Sequence, residues 1–209
     1  MEKLKITALV LGVVGTNCYI ISNRETKEAV IVDPADKAGR ICEALEKEQI
    51  IPKAILLTHG HFDHILAVND LLRTYQIPVY AGEAEQELLS NPDWNLSASM
   101  HHATTIEASN LVTDGEILEL LGTRIKAIAT PGHTAGGMCY YFMEDGMMFV
   151  GDTIFLESVG RTDFPTGNSR VLNQSIKEKL FVCDDGIRLY PGHGPETTIG
   201  YEKENNPFV

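Results

Sequence analysis

The segment His59-Gly60-His61-Phe62-Asp63-His64 places four potential metal donors within six residues. Imidazole and carboxylate groups together suit divalent ions such as zinc and iron. In an extended chain, residues two apart face the same way, so His59 and His61 can reach one ion from the end of a strand. A helix beginning near Asp63 turns that carboxylate and His64 toward a second point nearby. An aspartate at a helix start is on its own an ordinary cap; four such residues together, closing a buried strand, point to metal binding. A pair of metals needs about six to eight donors, so distant residues must complete the set. His133 follows Ala129-Thr130-Pro131-Gly132, 69 residues after His64; Asp152 follows Gly151, 19 further on; His193 follows Tyr190-Pro191-Gly192 after another 41. Each alone reads equally well as a surface turn residue. Together they are histidines or aspartate at strand ends in glycine-bearing turns, where functional sites tend to be built.

The elements that must position these residues follow from periodicity. Short β-branched runs at 6–11, 18–22 and 29–32, separated by turn residues, predict a meander. Asp36 is expected to cap a helix reaching about Gln49, with Ile41, Ala44 and Leu45 at helical spacing. The apolar run Ala54–Leu57 predicts a buried strand that delivers the chain to the histidine motif. A second helix is expected over His64–Tyr75 and stops before Pro78. A strand at Val79–Ala81 and a helix at Glu83–Leu89 come next. Residues 91–115 lack periodicity and predict a long surface excursion, with Trp94, His101 and His102 read as loop packing. Strands are expected at 117–120, 124–129, 138–142, 147–150 and 187–190, with a helix near 170–180. Tyr140 and Tyr141 read as sheet residues.

The chain has 209 residues, 44% apolar, with no low-complexity tract or linker, so residues 1–209 are expected to form one domain. Seventeen basic against 29 acidic residues give a net charge of −12, which argues against nucleic acid or an anionic membrane as partner. The N-terminal stretch lacks a cleavage-site pattern, and a cytoplasmic location is expected. Cys18, Cys42, Cys139 and Cys183 lie far apart without a CxxC pair and read as buried thiols.

The HxHxDH motif with the later His133, Asp152 and His193 resembles the metallo-β-lactamase superfamily, and the resemblance spans Asn17-Cys18-Tyr19 to Asn206-Pro207-Phe208. It implies an α/β fold, an αββα sandwich of two mixed sheets with helices on the outer faces. It further implies that His59, His61 and His133 hold one metal, that Asp63, His64 and His193 hold the other, and that Asp152 bridges them. The implied cofactors are two divalent metal ions, zinc first, with iron or manganese as alternatives. Gly151-Asp152-Thr153-Ile154-Phe155 and Gly160-Arg161-Thr162-Asp163-Phe164-Pro165 resemble the compact members of the glyoxalase II branch, the hydroxyacylglutathione hydrolases. Only 16 residues follow His193, so the C-terminal helical domain that helps hold glutathione in the larger enzymes is expected to be missing. Arg161 matches the basic residue those enzymes carry at the substrate, whereas Asp163 stands where they carry an aromatic. Arg161 therefore either binds an anionic substrate group or pairs with Asp163.

What the resemblance implies is hydrolysis of a small-molecule acyl thioester by a metal-bridging hydroxide, with Asp63 and Asp152 catalytic and Arg161 at the substrate. One alternative is a persulfide dioxygenase with a single iron on His59, His133 and Asp152, a two-histidine, one-carboxylate set. Another is a metal-binding relative without activity. Asp33, at a strand end before Pro34, is expected to cap a turn, with a hydrogen bond to a ligating histidine as a further option.

Overall fold

A computed structural model describes residues 3–100 and 102–209. The β-branched runs become strands β1 (Leu4–Leu11), β2 (Thr16–Asn23) and β3 (Glu28–Val32), an antiparallel meander. Strands β4 (Ile51–Leu56), β5 (Val79–Gly82) and β6 (Asn110–Val112) then add in parallel to complete a six-stranded sheet. The second sheet contains β7 (Ile117–Leu120), β8 (Thr123–Ala129), β9 (Met138–Phe142) and β10 (Met147–Gly151). After a small hairpin of β11 (Ile154–Phe155) and β12 (Ser158–Val159), β13 (Arg188–Pro191) joins parallel to β10 and β14 (Thr197–Thr198) closes the edge.

Alternation along the strands sends side chains into three apolar layers. On β3, Val30 and Val32 face the second sheet, where they meet Tyr140, Phe142 and Phe149. Ala29 and Ile31 face the other way, onto α1 (Ala38–Lys47) and onto Val68 and Leu71 of a later helix. The outer face of the second sheet, with Cys139, Met148 and Val150, is covered by Leu172, Ile176 and Ile199 from helices in the last third of the chain. Helix, sheet, sheet and helix therefore stack in the expected αββα order, and each fully buried Val, Leu or Ile contributes roughly 1.5–3 kcal/mol. Cys18 and Cys139 are buried, Cys42 and Cys183 are half-buried, and all four are free thiols.

Several elements differ from expectation for identifiable reasons. The helix expected over His64–Tyr75 is two helices, α2 (Phe62–Ile65) and α3 (Val68–Tyr75). Between them Leu66 N–H donates to Ala35 O (3.1 Å) and Ala67 N–H to Pro34 O (3.0 Å), which ties the break to the segment after β3. Asp36 does not cap α1: its Oδ1 accepts from Lys37 N–H at 2.6 Å, and Lys37 occupies the cap in a left-handed conformation (φ 51°). The helix expected at Glu83–Leu89 is a 3₁₀ turn, Glu83–Glu85, followed by α4 (Gln86–Ser90). The helix near 170–180 is α5 (Ser169–Ser175), continued by a π-helical turn over Ile176–Leu180. The excursion at 91–115 carries a 3₁₀ turn, Ser97–Met100, and the edge strand β6. It is anchored by buried Asn95, whose Nδ2 donates to Thr104 O at 2.9 Å. His102 meets Thr104 Oγ1 at 3.0 Å within this loop, while His101 lies outside the described residues. The chain closes on α6 (Ile199–Asn205), capped by the Thr198 side chain. Among the described residues no helix is long and apolar enough to cross a membrane.

Candidate metal centre

Strand direction brings the expected residues to one edge. β3 and β4 run parallel and end at Asp33 and at Thr58-His59; in the other sheet β8, β10 and β13 share a direction and end at the turns bearing His133, Asp152 and His193. The start of β2, antiparallel to β3, lies at the same edge. All seven residues read from the sequence as metal donors meet there. His59, His61 and His133 form one group able to hold a metal ion, and Asp63, His64 and His193 form another. Within the first, His133 Nε2 lies 2.9 Å from His61 Nδ1 and 3.2 Å from His59 Nε2. Within the second, Asp63 Oδ2 lies 3.4 Å from His64 Nε2 and 3.2 Å from His193 Nε2. Asp152 stands between them, with Oδ1 3.4 Å from His64 Nε2 and Oδ2 3.7 Å from His133 Nε2 and 3.6 Å from His193 Nε2.

These separations fit a metal. Donors about 2.0–2.1 Å from a tetrahedral ion lie roughly 3.3 Å apart. His64 Nε2 and Asp152 Oδ1 are buried with no hydrogen-bond partner, a costly arrangement unless a cation takes their lone pairs. For His133 and His64 the opposite ring nitrogen fixes which nitrogen faces inward. His133 Nδ1 donates to Arg161 O (2.7 Å), and His64 Nδ1 meets Asp33 Oδ2 (2.9 Å). Asp33, in a left-handed conformation (φ 49°), also accepts the Thr58 N–H (2.8 Å) and hydroxyl (2.6 Å), and Thr58 Oγ1 lies 3.2 Å from His59 Nδ1. Its contact with a site histidine is thus the second of the two roles expected of it.

The electrostatics agree. Burial, then the neighbouring imidazoles, holds His59 well below the usual histidine range and lowers His61 to about 3, so both offer lone pairs. Burial would raise Asp63 and Asp152, but the imidazoles beside them, His64 foremost, outweigh it and keep both below the usual carboxylate range. His64 is buried, which opposes charge, yet Asp63, Asp152 and Asp33 hold it well above the usual value. Three carboxylates around one imidazole make a site with surplus negative charge that a cation would balance.

A cavity of about 430 Å³ opens over the cluster, lined by His61, Asp63, His133, Asp152 and His193 and walled by Val14, Leu96, Phe155, Val159 and Phe164. Arg161 lines it too, and its Nε and Nη2 donate to Asp163 at 2.7 and 2.6 Å, the pairing alternative of the sequence. The guanidinium lies 3.9 Å from the centre of the Phe164 ring. An aromatic therefore stands beside the arginine after all, three residues on instead of two. Phe164, Phe155, Leu96 and Val14 are not singled out by sequence reasoning; for Phe164 its nearness to Arg161 was the available signal.

Buried Glu85 is a further group that the sequence conceals. Its Oε1 accepts the Gly60 N–H at 2.8 Å and its Oε2 the Gly136 N–H at 2.9 Å. Burial pushes its carboxyl up to about 7, against the lowering effect of these bonds. The folded state then holds this proton more tightly than the unfolded chain, whose carboxyl titrates near 4.5. Its contribution to stability is full below that value and is lost as pH rises through about 7. Urea unfolding of metal-stripped protein between pH 4.5 and 8 should show this loss as a difference from Glu85→Gln, which has no such proton; parallel pH profiles would contradict it.

The metallo-beta-lactamase superfamily model matches residues 11–193. The crystal structure of the BLEG-1 B3 metallo-beta-lactamase is 39% identical and superposes with a TM-score of 0.93, covering 98% of this chain and 99% of that one. TTHA1623, solved in a di-iron-bound form, is 32% identical with a TM-score of 0.87, covering 97% of this chain and 100% of that one. The hydroxyacylglutathione hydrolase GloC of Haemophilus influenzae is 35% identical over 196 residues, 92% of each chain.

Proposed function

Given that this chain belongs to the metallo-beta-lactamase superfamily, we propose that it is a dinuclear metal-dependent hydrolase of acyl thioesters, with a hydroxyacyl thiol ester as substrate. The observation that carries this is the second triad. Asp63 Oδ2 lies 3.4 Å from His64 Nε2 and 3.2 Å from His193 Nε2, close enough for a second ion, with Asp152 between the two groups. In this assignment His59, His61 and His133 would hold one ion and Asp63, His64 and His193 the other, with Asp152 able to serve both. The di-iron form of TTHA1623 and the name of the GloC relative lend support to the nuclearity and to the substrate class.

Two divalent ions, when bound, supply Lewis acidity, lowering the pKa of water toward 7 and drawing charge from a carbonyl oxygen. The protein's own groups do the rest. Asp63 Oδ2 is fixed by the Thr16 hydroxyl at 2.7 Å, which leaves Oδ1 to accept a hydrogen bond from the attacking water and orient it. The apolar walls at Leu96, Phe155 and Phe164 take up the acyl chain and exclude water from the carbonyl. A thiolate is a weak base and departs without a strong acid, so a site rich in lone pairs and short of proton donors suits a thioester. Arg161 stands at the rim, where it meets an anionic part of the substrate only by leaving Asp163.

The test pairs metal analysis with turnover. Purified protein should hold two ions per chain and release thiol from acyl thioesters without consuming oxygen. One iron per chain with oxygen uptake on glutathione persulfide would replace this function by the dioxygenase. Such a single-ion centre would draw on His59, His133 and Asp152, donors that the two-ion assignment also uses, so metal count and oxygen uptake decide between the two.

A further inference from the structure

The two triads are gripped from different parts of the chain. Gly60 lies between His59 and His61, and Gly136 lies three residues beyond His133; both N–H groups end on the Glu85 carboxylate, at 2.8 and 2.9 Å. Glu85 is 1% exposed, and a side chain at Gly136 would strike the Glu85 backbone at 2.1 Å, so the two turns and the carboxylate form one packed unit. This unit holds the three-histidine triad; it meets the other triad at His64, whose N–H donates to His61 O at 2.9 Å and whose ring lies 4.0 Å from that of His59, and no hydrogen bond from Glu85 itself goes to Asp63, His64 or His193.

The other triad is held from the start of β2. Asn17 N–H donates to Gly192 O (2.7 Å), and its Nδ2 donates to Pro191 O (3.0 Å) and Gly194 O (2.9 Å). Three bonds from one residue therefore bracket His193 on both sides. The preceding residue, Thr16, donates to Asp63 Oδ2 at 2.7 Å. Asn17 is 6% exposed, so these bonds face little competition from water.

We infer that Glu85 and Asn17 are separate positioning residues, one for each metal ion, so that loss of either weakens its own ion more than the ion that shares Asp152 with it; this rests on the assignment of the two triads to two ions. Glu85→Gln keeps the side-chain size but turns an NH₂ group toward one of two N–H donors, so either the His59–His61 turn or the turn after His133 loses its anchor. Asn17→Ala removes both side-chain donors. Pro191 O keeps the Tyr19 hydroxyl at 2.7 Å, while Gly194 O loses its bond and the turn bearing His193 loosens. Loss of a group that orients a metal ligand typically weakens metal binding about 10–100-fold. Asp33 is the contrasting case, because it touches His64 directly and His59 through Thr58; Asp33→Asn should weaken both ions together.

The experiment is zinc titration of metal-stripped protein against a chromophoric chelator, read in parallel by the histidine ring NMR signals. The signals of His61 and His193 are assigned with His61→Gln and His193→Gln. In Glu85→Gln the His61 signal should respond only at about 10–100-fold higher free zinc while the midpoint of the His193 signal shifts far less. Asn17→Ala should show the reverse, and Asp33→Asn should shift both. Should Glu85→Gln fail to fold, Glu85→Asp, too short to reach both turns, takes its place with the same expected pattern. Two ions in the wild type with equal shifts of both signals in each variant, or no shift in either, would overturn the inference alone. A wild-type protein that binds fewer than two ions would overturn it together with the dinuclear assignment.

Discussion

Asp152→Ala should abolish thiol release and strip the centre of metal, while the fold persists. Asp152 is the residue whose two oxygens reach both triads: Oδ1 faces His64 Nε2 at 3.4 Å, and Oδ2 faces His133 and His193 at 3.7 and 3.6 Å. Without it, the three-histidine triad keeps only neutral donors, and the other keeps a single carboxylate to balance a divalent ion. Loss of groups one step further out costs about 10–100-fold in metal affinity or activity, so loss of a shared ligand should exceed about 100-fold in kcat/KM. The side chain lines the cavity among histidines, and its removal should leave near-UV circular dichroism unchanged. Metal content, thiol release and the dichroism spectrum of one preparation decide the matter. Wild-type turnover in the variant would remove Asp152 from the mechanism and with it the two-ion hydrolase.

The site residues are legible in the sequence because each is marked by its own neighbours. His59 and His61 follow an apolar run too short for a helix, and His133 and His193 each follow Pro-Gly at a strand end. These are local signals, and the sheet architecture had only to bring their strand ends to one edge. What holds the turns in place is not local. Glu85 sits in a stretch that reads as an ordinary amphipathic helix start, and nothing in its neighbourhood tells that its carboxylate reaches Gly60 and Gly136, 25 and 51 residues away. Asn17 reads as a turn residue ahead of the strand at 18–22, although its partners lie 174 and 177 residues along the chain. The break between α2 and α3 has the same origin: periodicity continues through Leu66 and Ala67, but the Ala67 N–H goes to Pro34 O and the Leu66 N–H is shared between Phe62 O and Ala35 O. Pairings between distant backbone groups leave no trace in composition or period, and here they decide how firmly the donors are held.

Gly192→Ala is expected to cost about as much activity as loss of a ligand, although it adds only a methyl group. Gly192 leads into His193, with its N–H on Gly151 O (2.8 Å) and its carbonyl on Asn17 N–H (2.7 Å), so its backbone is fixed from both sheets. A Cβ there would lie 2.3 Å from Asp152 Oδ1 and 2.6 Å from His64 Cε1. Neither neighbour is a free end that can swing aside, since His64 is tied to Asp33 at 2.9 Å and Asp152 is enclosed by three imidazoles. Relief must come from opening the distances that define the centre, and turnover should fall about 100-fold with loss of metal. Such overpacking costs roughly 1–3 kcal/mol of stability. Gly194→Ala supplies the comparison: its Cβ would meet nothing within 4 Å, but φ is +73°, a left-handed conformation that costs a side chain roughly 1–2 kcal/mol. The two alanine variants should therefore lose similar stability in urea titration, while only Gly192→Ala loses its metal and its turnover. Equal activity in both would mean that the close approach of the backbone at residue 192 does not shape the centre.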